Sequence, residues 1–393
     1  MLHVFTKGKW AYVFLALISI VSLVAVACGG DDDDDDTSPT ATTAPGGTTA
    51  PTTAGSIPSD VGKNDKAQLT GAGATFPAPI YQAWFDDYNK NVAKGVQINY
   101  QSIGSGGGIQ QFTEKTVDFG ASDAPMSDDE LSKAPDAQHI PMVLGSVVVT
   151  YNLSGVSSPL KFDGETIAKI YLGEIKKWDD AAIKALNPDA KLPSADIQVA
   201  YRSDGSGTSF VWTDYLSHVS ADWKSKVGTS KNPQWPVGQG GKGNEGVTNL
   251  VKQTPNAIGY VELNYAIANK LPYADMKNKA GKFVTPSIAS TSAAAAGVTL
   301  PADYRVSIVN ADGDAAYPIA SFTYLLVYKT SGKCSQQTPL ANYLWWVFHD
   351  PAAAKTAGEL NYAPIPEKVV PTIEATIKSL KCDDGSKASL SGG

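Results

Sequence analysis

Within the body of the chain, apolar residues first take helical spacing at Ile80, Tyr81, Trp84, Phe85 and Tyr88. They follow the small-residue run Gly71-Ala72-Gly73-Ala74-Thr75-Phe76-Pro77-Ala78-Pro79, whose prolines suit a helix's first turn. Alternation then takes over, with Val96, Ile98 and Tyr100 on one face of a strand predicted over 96–102. Gly104-Ser105-Gly106-Gly107-Gly108 leads into Ile109 and Phe112, a second Gly/Ser turn entering a helix. A short strand over 117–121 ends at Ser122-Asp123-Ala124-Pro125. Further on, the pattern predicts strands over 139–151, 197–201, 257–263 and 317–329. It predicts helices over 164–172, 176–186, 245–253 and 338–348, and a weak one over 288–297. Gly238-Gln239-Gly240-Gly241-Lys242-Gly243 has the letters of a dinucleotide fingerprint, but no convincing strand precedes it, so a loop is expected.

The stretch Tyr201-Arg202-Ser203-Asp204-Gly205-Ser206-Gly207-Thr208-Ser209 carries the most chemistry. A strand runs into a Gly/Ser/Thr turn and then into helical spacing through Val211, Tyr215 and Leu216. The first N–H groups of a helix lack intrahelical partners and carry the positive end of its dipole, so such a junction cradles anions. An ordinary N-cap at Ser206 is the plainer alternative. Four strand-end or helix-start elements rich in small donor residues make an anion site the stronger reading.

Lys7 and Lys9 precede an uncharged run from Trp10 to Ala27, the plan of an export signal, with a membrane anchor as the competing reading. Ala25-Val26-Ala27-Cys28 resembles the lipobox of bacterial lipoproteins, in which the Cys becomes the lipidated first residue. From Gly29 to about Gly62 the chain is Asp, Thr, Pro, Ala, Gly and Ser, a composition too polar to offset chain entropy by burial, so a disordered spacer is expected.

The 393 residues allow two domains with proper cores. Of the formal charge of -7, six negative charges belong to Asp31–Asp36, so the folded body is near neutral. That gives no broad electrostatic case for nucleic acid, and an anion must be held by local chemistry. With Cys28 assigned to lipid, Cys334 and Cys382 remain, which an exported protein most simply pairs; two free thiols are the alternative. No G-x-S-x-G surrounds Ser105 or Ser206, no Walker motif surrounds Lys242, and the four His residues lack metal spacing. Catalysis, metal and cofactor are therefore not expected.

Several segments together resemble the substrate-binding lipoprotein of the bacterial phosphate-specific ABC transporter. They are Leu69–Pro79, Gly104–Gly108, Val117–Pro125, Ile170–Asp179, Asp204–Phe210, Gly240–Gly246 and Ala257–Glu262, in that family's order. The resemblance implies an α/β, two-lobed periplasmic-binding-protein fold (type II-like), with mixed sheets and two crossing segments forming a hinge. It implies lobe 1 over 65–143 and 306–382, lobe 2 over 144–305, a signal peptide over 1–27, a spacer over 28–64 and a flexible tail over 383–393. It further implies a phosphate site of Ala74, Thr75, Phe76, Ser105, Asp123, Arg202, Asp204, Ser206, Gly207 and Thr208, with Asp204 holding Arg202. The partners implied are inorganic phosphate, a permease with its ATPase, and the outer face of the cell membrane through the lipid anchor. Another oxyanion such as sulfate or molybdate, or a secreted phosphatase, are the alternatives.

Overall fold

The computed structural model describes residues 61–156, 159–331, 333–388 and 390. The leader, Cys28 and nearly all of the spacer lie outside them. No helix among the described residues is long and apolar enough to cross a membrane.

The main strands are β1 (Lys66–Gly73), β2 (Gly95–Ser102), β3 (Phe119–Ser122), β4 (Ala137–Tyr151), β5 (Gln198–Arg202), β6 (Gln239–Gly241), β7 (Ala257–Glu262) and β8 (Ala320–Tyr328). They hydrogen-bond in the order β2-β1-β3-β8-β4-β7-β5-β6, a mixed sheet shared by two lobes. β1 pairs in parallel with β2 and β3, and β8 runs antiparallel to both β3 and β4. β4 joins the lobes. Its residues 137–146 pair with β8, and its residues 147–151 pair with β7. All but one of its 15 residues are buried, as expected of an apolar run covered on both faces. The return crossing runs into β8 beside it, where the Val147 N–H donates to the Ile319 carbonyl at 2.8 Å.

Helices α1 (Ala78–Asp87), α2 (Ser105–Thr113), α3 (Gly207–Val219), α4 (Gly243–Gln253) and α5 (Cys334–His349) flank the sheet. In α1 the spacing predicted from sequence buries Ile80, Tyr81, Trp84 and Phe85, and Pro79 sits in the first turn. These rings meet Tyr100, Phe119 and Tyr343, with the Tyr100 and Phe119 rings stacked at 6.3 Å. In the second lobe Trp212 stacks on Tyr260 at 4.8 Å.

Three elements differ from the sequence expectation. The helix expected over 176–186 begins only at Ala181, capped by Asp180. Before it, Lys177 bridges to Asp196, and the Trp178 indole donates to the Asn256 carbonyl at 2.9 Å, so tertiary pairing overrides helical spacing. Gly238–Gly243 is not a loop throughout: Gln239–Gly241 adds to β5 as a parallel edge strand. α5 starts four residues before Thr338, because Gln337 anchors its first turns to the Tyr328 carbonyl at 2.8 Å.

Cys334 and Cys382 form a disulfide with a Cα–Cα distance of 5.1 Å. Beyond it the chain turns back, and the Ala388 N–H donates to the Leu380 carbonyl at 2.9 Å. The tail expected to be free from 383 is therefore packed as far as Ala388, which is buried.

Candidate anion site

The ends of β1, β2, β3 and β5 carry the residues singled out in the sequence, and their loops meet where the lobes face each other. After β1, the Ala74 N–H donates to the Ala121 carbonyl at 2.9 Å, and the Ala74 carbonyl accepts from the Tyr100 hydroxyl at 2.7 Å. Ala74 thus has no polar group left for a ligand. Thr75 follows, 2% exposed, with its carbonyl accepting from the Tyr265 hydroxyl at 2.6 Å. The Phe76 carbonyl accepts from Tyr362 at 2.7 Å, while its N–H has no protein partner among the described residues.

Two residues beyond β2, Gly104 sits at φ +92°, where a side chain would strike the Asp204 carboxylate. Only glycine lets the two loops approach this closely. Ser105 then opens α2, and the Gly106 N–H donates across the lobes to the Gly205 carbonyl at 2.8 Å. The Ser105 hydroxyl accepts from the Asp123 N–H at 3.3 Å.

Asp123 is 1% exposed. Its Oδ1 accepts from the Thr323 hydroxyl at 2.9 Å. Burial pushes its pKa up to about 7, against the opposing pull of that hydrogen bond and of Arg202. Its Oδ2 lies by Gly207: a Cβ there would come within 2.6 Å of Oδ2 and 2.5 Å of the Ser105 hydroxyl.

Arg202, 2% exposed, is a buried cation held on all sides. Its Nε and Nη2 donate to Asp204 at 2.8 and 2.6 Å, and Nη1 donates to the Thr208 hydroxyl at 3.3 Å. Its backbone N–H donates to the Tyr260 hydroxyl at 3.1 Å, so the Trp212–Tyr260 stack sets where the guanidinium begins. Burial opposes its charge, but Asp204 outweighs burial and keeps the guanidinium pKa above its usual value. Asp204 is likewise pushed up by burial and then held below the usual carboxylate range by Arg202 and by the Gly243 N–H.

Ser206 is the N-cap of α3, accepting from the Ser209 N–H at 2.9 Å. The plain cap and the anion cradle are therefore one arrangement. The cap satisfies the third N–H of the helix and leaves those of Gly207 and Thr208 without intrahelical partners.

Every candidate residue of the two lobes is thus brought to one place. Sequence reasoning missed Asn244, Thr323 and Glu262. Asn244 is fully buried and bridges Thr75 to Thr208. Its signal was its place in the Gly240–Gly246 segment, which was given no ligand role. Thr323 showed only as a lone hydroxyl inside an apolar strand. Glu262 is buried beside the site, and burial holds its pKa well above the usual carboxylate range. Among the described residues, the one group spaced for a metal is Cys334, Cys382 and Asp384, and its two sulfurs are bonded to each other.

Residues 40–351 match the family model described as the PBP superfamily domain. The phosphate-binding protein PstS of Pasteurella multocida is 45% identical over 321 residues, covering 81% of this chain and 92% of that protein. The phosphate-binding protein PstS of Methanocaldococcus jannaschii is 40% identical, covering 74% and 81%. A solved structure, the periplasmic phosphate-binding protein PfluDING bound with phosphate, superposes with a TM-score of 0.64 at 22% identity, covering 79% and 93%. At that identity it speaks to the fold alone, which is the two-lobed α/β architecture.

Proposed function

The chain belongs to the PBP superfamily and, within it, to the phosphate-binding PstS proteins, and from that premise we propose that the cleft residues described above form its phosphate site. The protein is an extracytoplasmic phosphate-binding component of an ABC importer and not an enzyme.

The observation that carries the reading is a buried Arg202 and a buried Asp123 facing one cleft otherwise lined by neutral donors. Arg202 supplies charge to the ligand, and Asp204 keeps the guanidinium aimed. The hydroxyls of Thr75, Ser105, Ser206 and Thr208, with the N–H groups of Phe76, Gly207 and Thr208, offer donors without further charge. Such a set solvates an anion in a dry cleft while keeping release possible. When ionised, Asp123 can only accept, so it favours an oxyanion that still carries a proton, as phosphate does near neutral pH and sulfate does not. Ala74 contributes a wall, since both its backbone groups are used within the first lobe.

The hinge reading takes 65–143 and 306–382 as one lobe and 144–305 as the other. It is supported by the change of partner along β4. Cys28 is taken as the lipidated residue that tethers the receptor at the outer membrane face, within reach of a permease and its ATPase.

Calorimetric titration of residues 61–393 with inorganic phosphate, then sulfate, tests the reading. Tight phosphate binding with no sulfate heat is expected. Absence of phosphate binding would end it.

A further inference from the structure

Asn244 lies in the first turn of α4 on the second lobe, and all its polar groups are engaged. Its Oδ1 accepts from the Glu262 backbone N–H at 2.9 Å. That group can only donate, so the amide is fixed with its oxygen towards β7 and its Nδ2 towards the cleft. Nδ2 donates to the Thr75 hydroxyl at 2.7 Å and to the Thr208 hydroxyl at 3.2 Å. The Asn244 N–H reaches the same Thr75 oxygen at 3.1 Å.

A hydroxyl has two lone pairs and one hydrogen. At Thr75 both lone pairs are taken, by the side chain and the backbone of Asn244. At Thr208 both are taken as well, by Asn244 and by Arg202 Nη1 at 3.3 Å. None of these groups can accept a hydrogen bond. The O–H of each threonine is therefore left to a further partner, and each threonine faces the cleft as a donor only.

We propose that Asn244 is a positioning residue that turns the Thr75 and Thr208 hydroxyls into obligate donors to the bound anion, and does so for Thr75 only when the lobes are closed. The inference rests on the phosphate reading of this cleft. A free hydroxyl can turn its lone pairs to an anion as readily as its hydrogen, and must be reoriented at each binding event. With Asn244 in place, that choice is already made for a ligand whose oxygens mostly accept. Because Asn244 and Thr75 belong to opposite lobes, closure and the donor state of Thr75 are one event.

The test is a double-mutant cycle on residues 61–393, read as the affinity for inorganic phosphate by calorimetry, with thermal melting in parallel. Asn244→Leu alone should weaken phosphate binding by about tenfold or more, consistent with the coupling seen between hydrogen-bonded neighbours. In a Thr75→Val background the same change should cost clearly less, about threefold, since of the two hydroxyls it orients only that of Thr208 is left. A packing role would cost the same in both backgrounds, and that result, or wild-type affinity in Asn244→Leu, overturns the inference. If Asn244→Leu does not fold, Asn244→Ala, which removes the amide without adding a charge, runs through the same cycle with the same criterion. Arg202→Ala is titrated beside them. Should the wild type bind phosphate and Arg202→Ala lose it while the cycle is additive, the site stands and only the role of Asn244 falls.

Discussion

Asp204 clasps Arg202 side-on: one carboxylate oxygen takes Nε at 2.8 Å and the other takes Nη2 at 2.6 Å. This two-point geometry fixes the guanidinium plane as well as its position. It leaves Nη1 turned towards Thr208 and the cleft. Arg202 is buried and the Asp204 side chain is 11% exposed, and the Gly243 N–H adds a third constraint on Asp204.

From this pairing, Arg202→Ala should nearly abolish phosphate binding. It removes the cation of the proposed site and leaves Asp204 without its buried partner, a combined cost of roughly 3 kcal/mol or more. Asp204→Ala should cost less, because the guanidinium stays but loses its fixed plane. Calorimetry of both variants checks the order; equal affinity in wild type and Arg202→Ala would place the site elsewhere.

Much of this site was legible before the fold was. The helix at Ile80, Tyr81, Trp84 and Phe85 and the strand at Val96, Ile98 and Tyr100 followed from spacing, since the helix face is buried and the strand face is at least half-buried. The Gly/Ser turns followed because the chain must bare N–H groups there. Asn244 was not legible, because its work depends on meeting Thr75, 169 positions away. Thr323, 200 positions from Asp123, was hidden for the same reason. Trp178 failed differently: its spacing is helical, but a buried indole hydrogen bond to the Asn256 carbonyl decides the backbone.

A further contact crosses the lobes at the rim. Lys231 Nζ donates to Glu130 at 2.5 Å, while the Lys231 carbonyl accepts from the Ser206 N–H at 2.8 Å. Burial pushes the Glu130 carboxyl up, but Lys231 and the Ser127 cap outweigh it and hold its pKa below the usual value. The pair ties the first lobe to the turn that opens α3. Lys231→Met should therefore favour opening, with phosphate leaving about three- to tenfold faster and affinity falling in step, in the range of a partly exposed ion pair. Stopped-flow release at low and high salt is the measurement. The wild type should approach the variant as salt rises, and a salt-independent gap would exclude an electrostatic latch.

His139 supplies an acid limit to stability. Its Nε2 accepts from the Met126 N–H at 3.0 Å, so the ring must stay neutral to keep that bond. Burial, helped by Arg305 and Lys329 and opposed by Asp303 and Glu130, pushes its pKa down to about 4. The unfolded chain takes up a proton near the usual histidine value of about 6.5, whereas the folded protein resists until about pH 4. Between those values the unfolded state binds more protons, so stability falls as pH falls. The loss at completion is about 3 kcal/mol. Urea unfolding at pH 7, 5.5 and 4.5 should show it, and His139→Gln, which keeps an acceptor for Met126, should flatten this part of the profile. An unchanged slope in the variant would assign the acid loss to other groups.

The remaining prediction concerns Asp123 and the choice between phosphate and sulfate. An ionised carboxylate at contact with an anion is repelled by several kcal/mol, even at an effective dielectric of about 20. A ligand that carries a proton escapes the penalty by donating it, and gains a charge-assisted bond. Sulfate at neutral pH has none to give. Asp123→Asn changes this in a defined way, because the Thr323 hydroxyl donates to Oδ1 at 2.9 Å and would hold the amide oxygen on its own side. The amide Nδ2 then takes the place of Oδ2 and turns a donor towards the ligand. Sulfate binding should become measurable in the variant, while phosphate should weaken by no more than about tenfold. A pH series separates this from a general loosening of the cleft. With its pKa pushed up to about 7, Asp123 becomes protonated as pH falls, and the wild type should then begin to take sulfate through its own O–H donor. The Asn variant has no such proton to gain, so its sulfate affinity should stay flat over the same range. Calorimetry with both anions at pH 8 and pH 5.5, at fixed salt, gives the four numbers needed. A variant that rejects sulfate as firmly as the wild type at pH 8 would show that Asp123 is not the residue that tells the two apart.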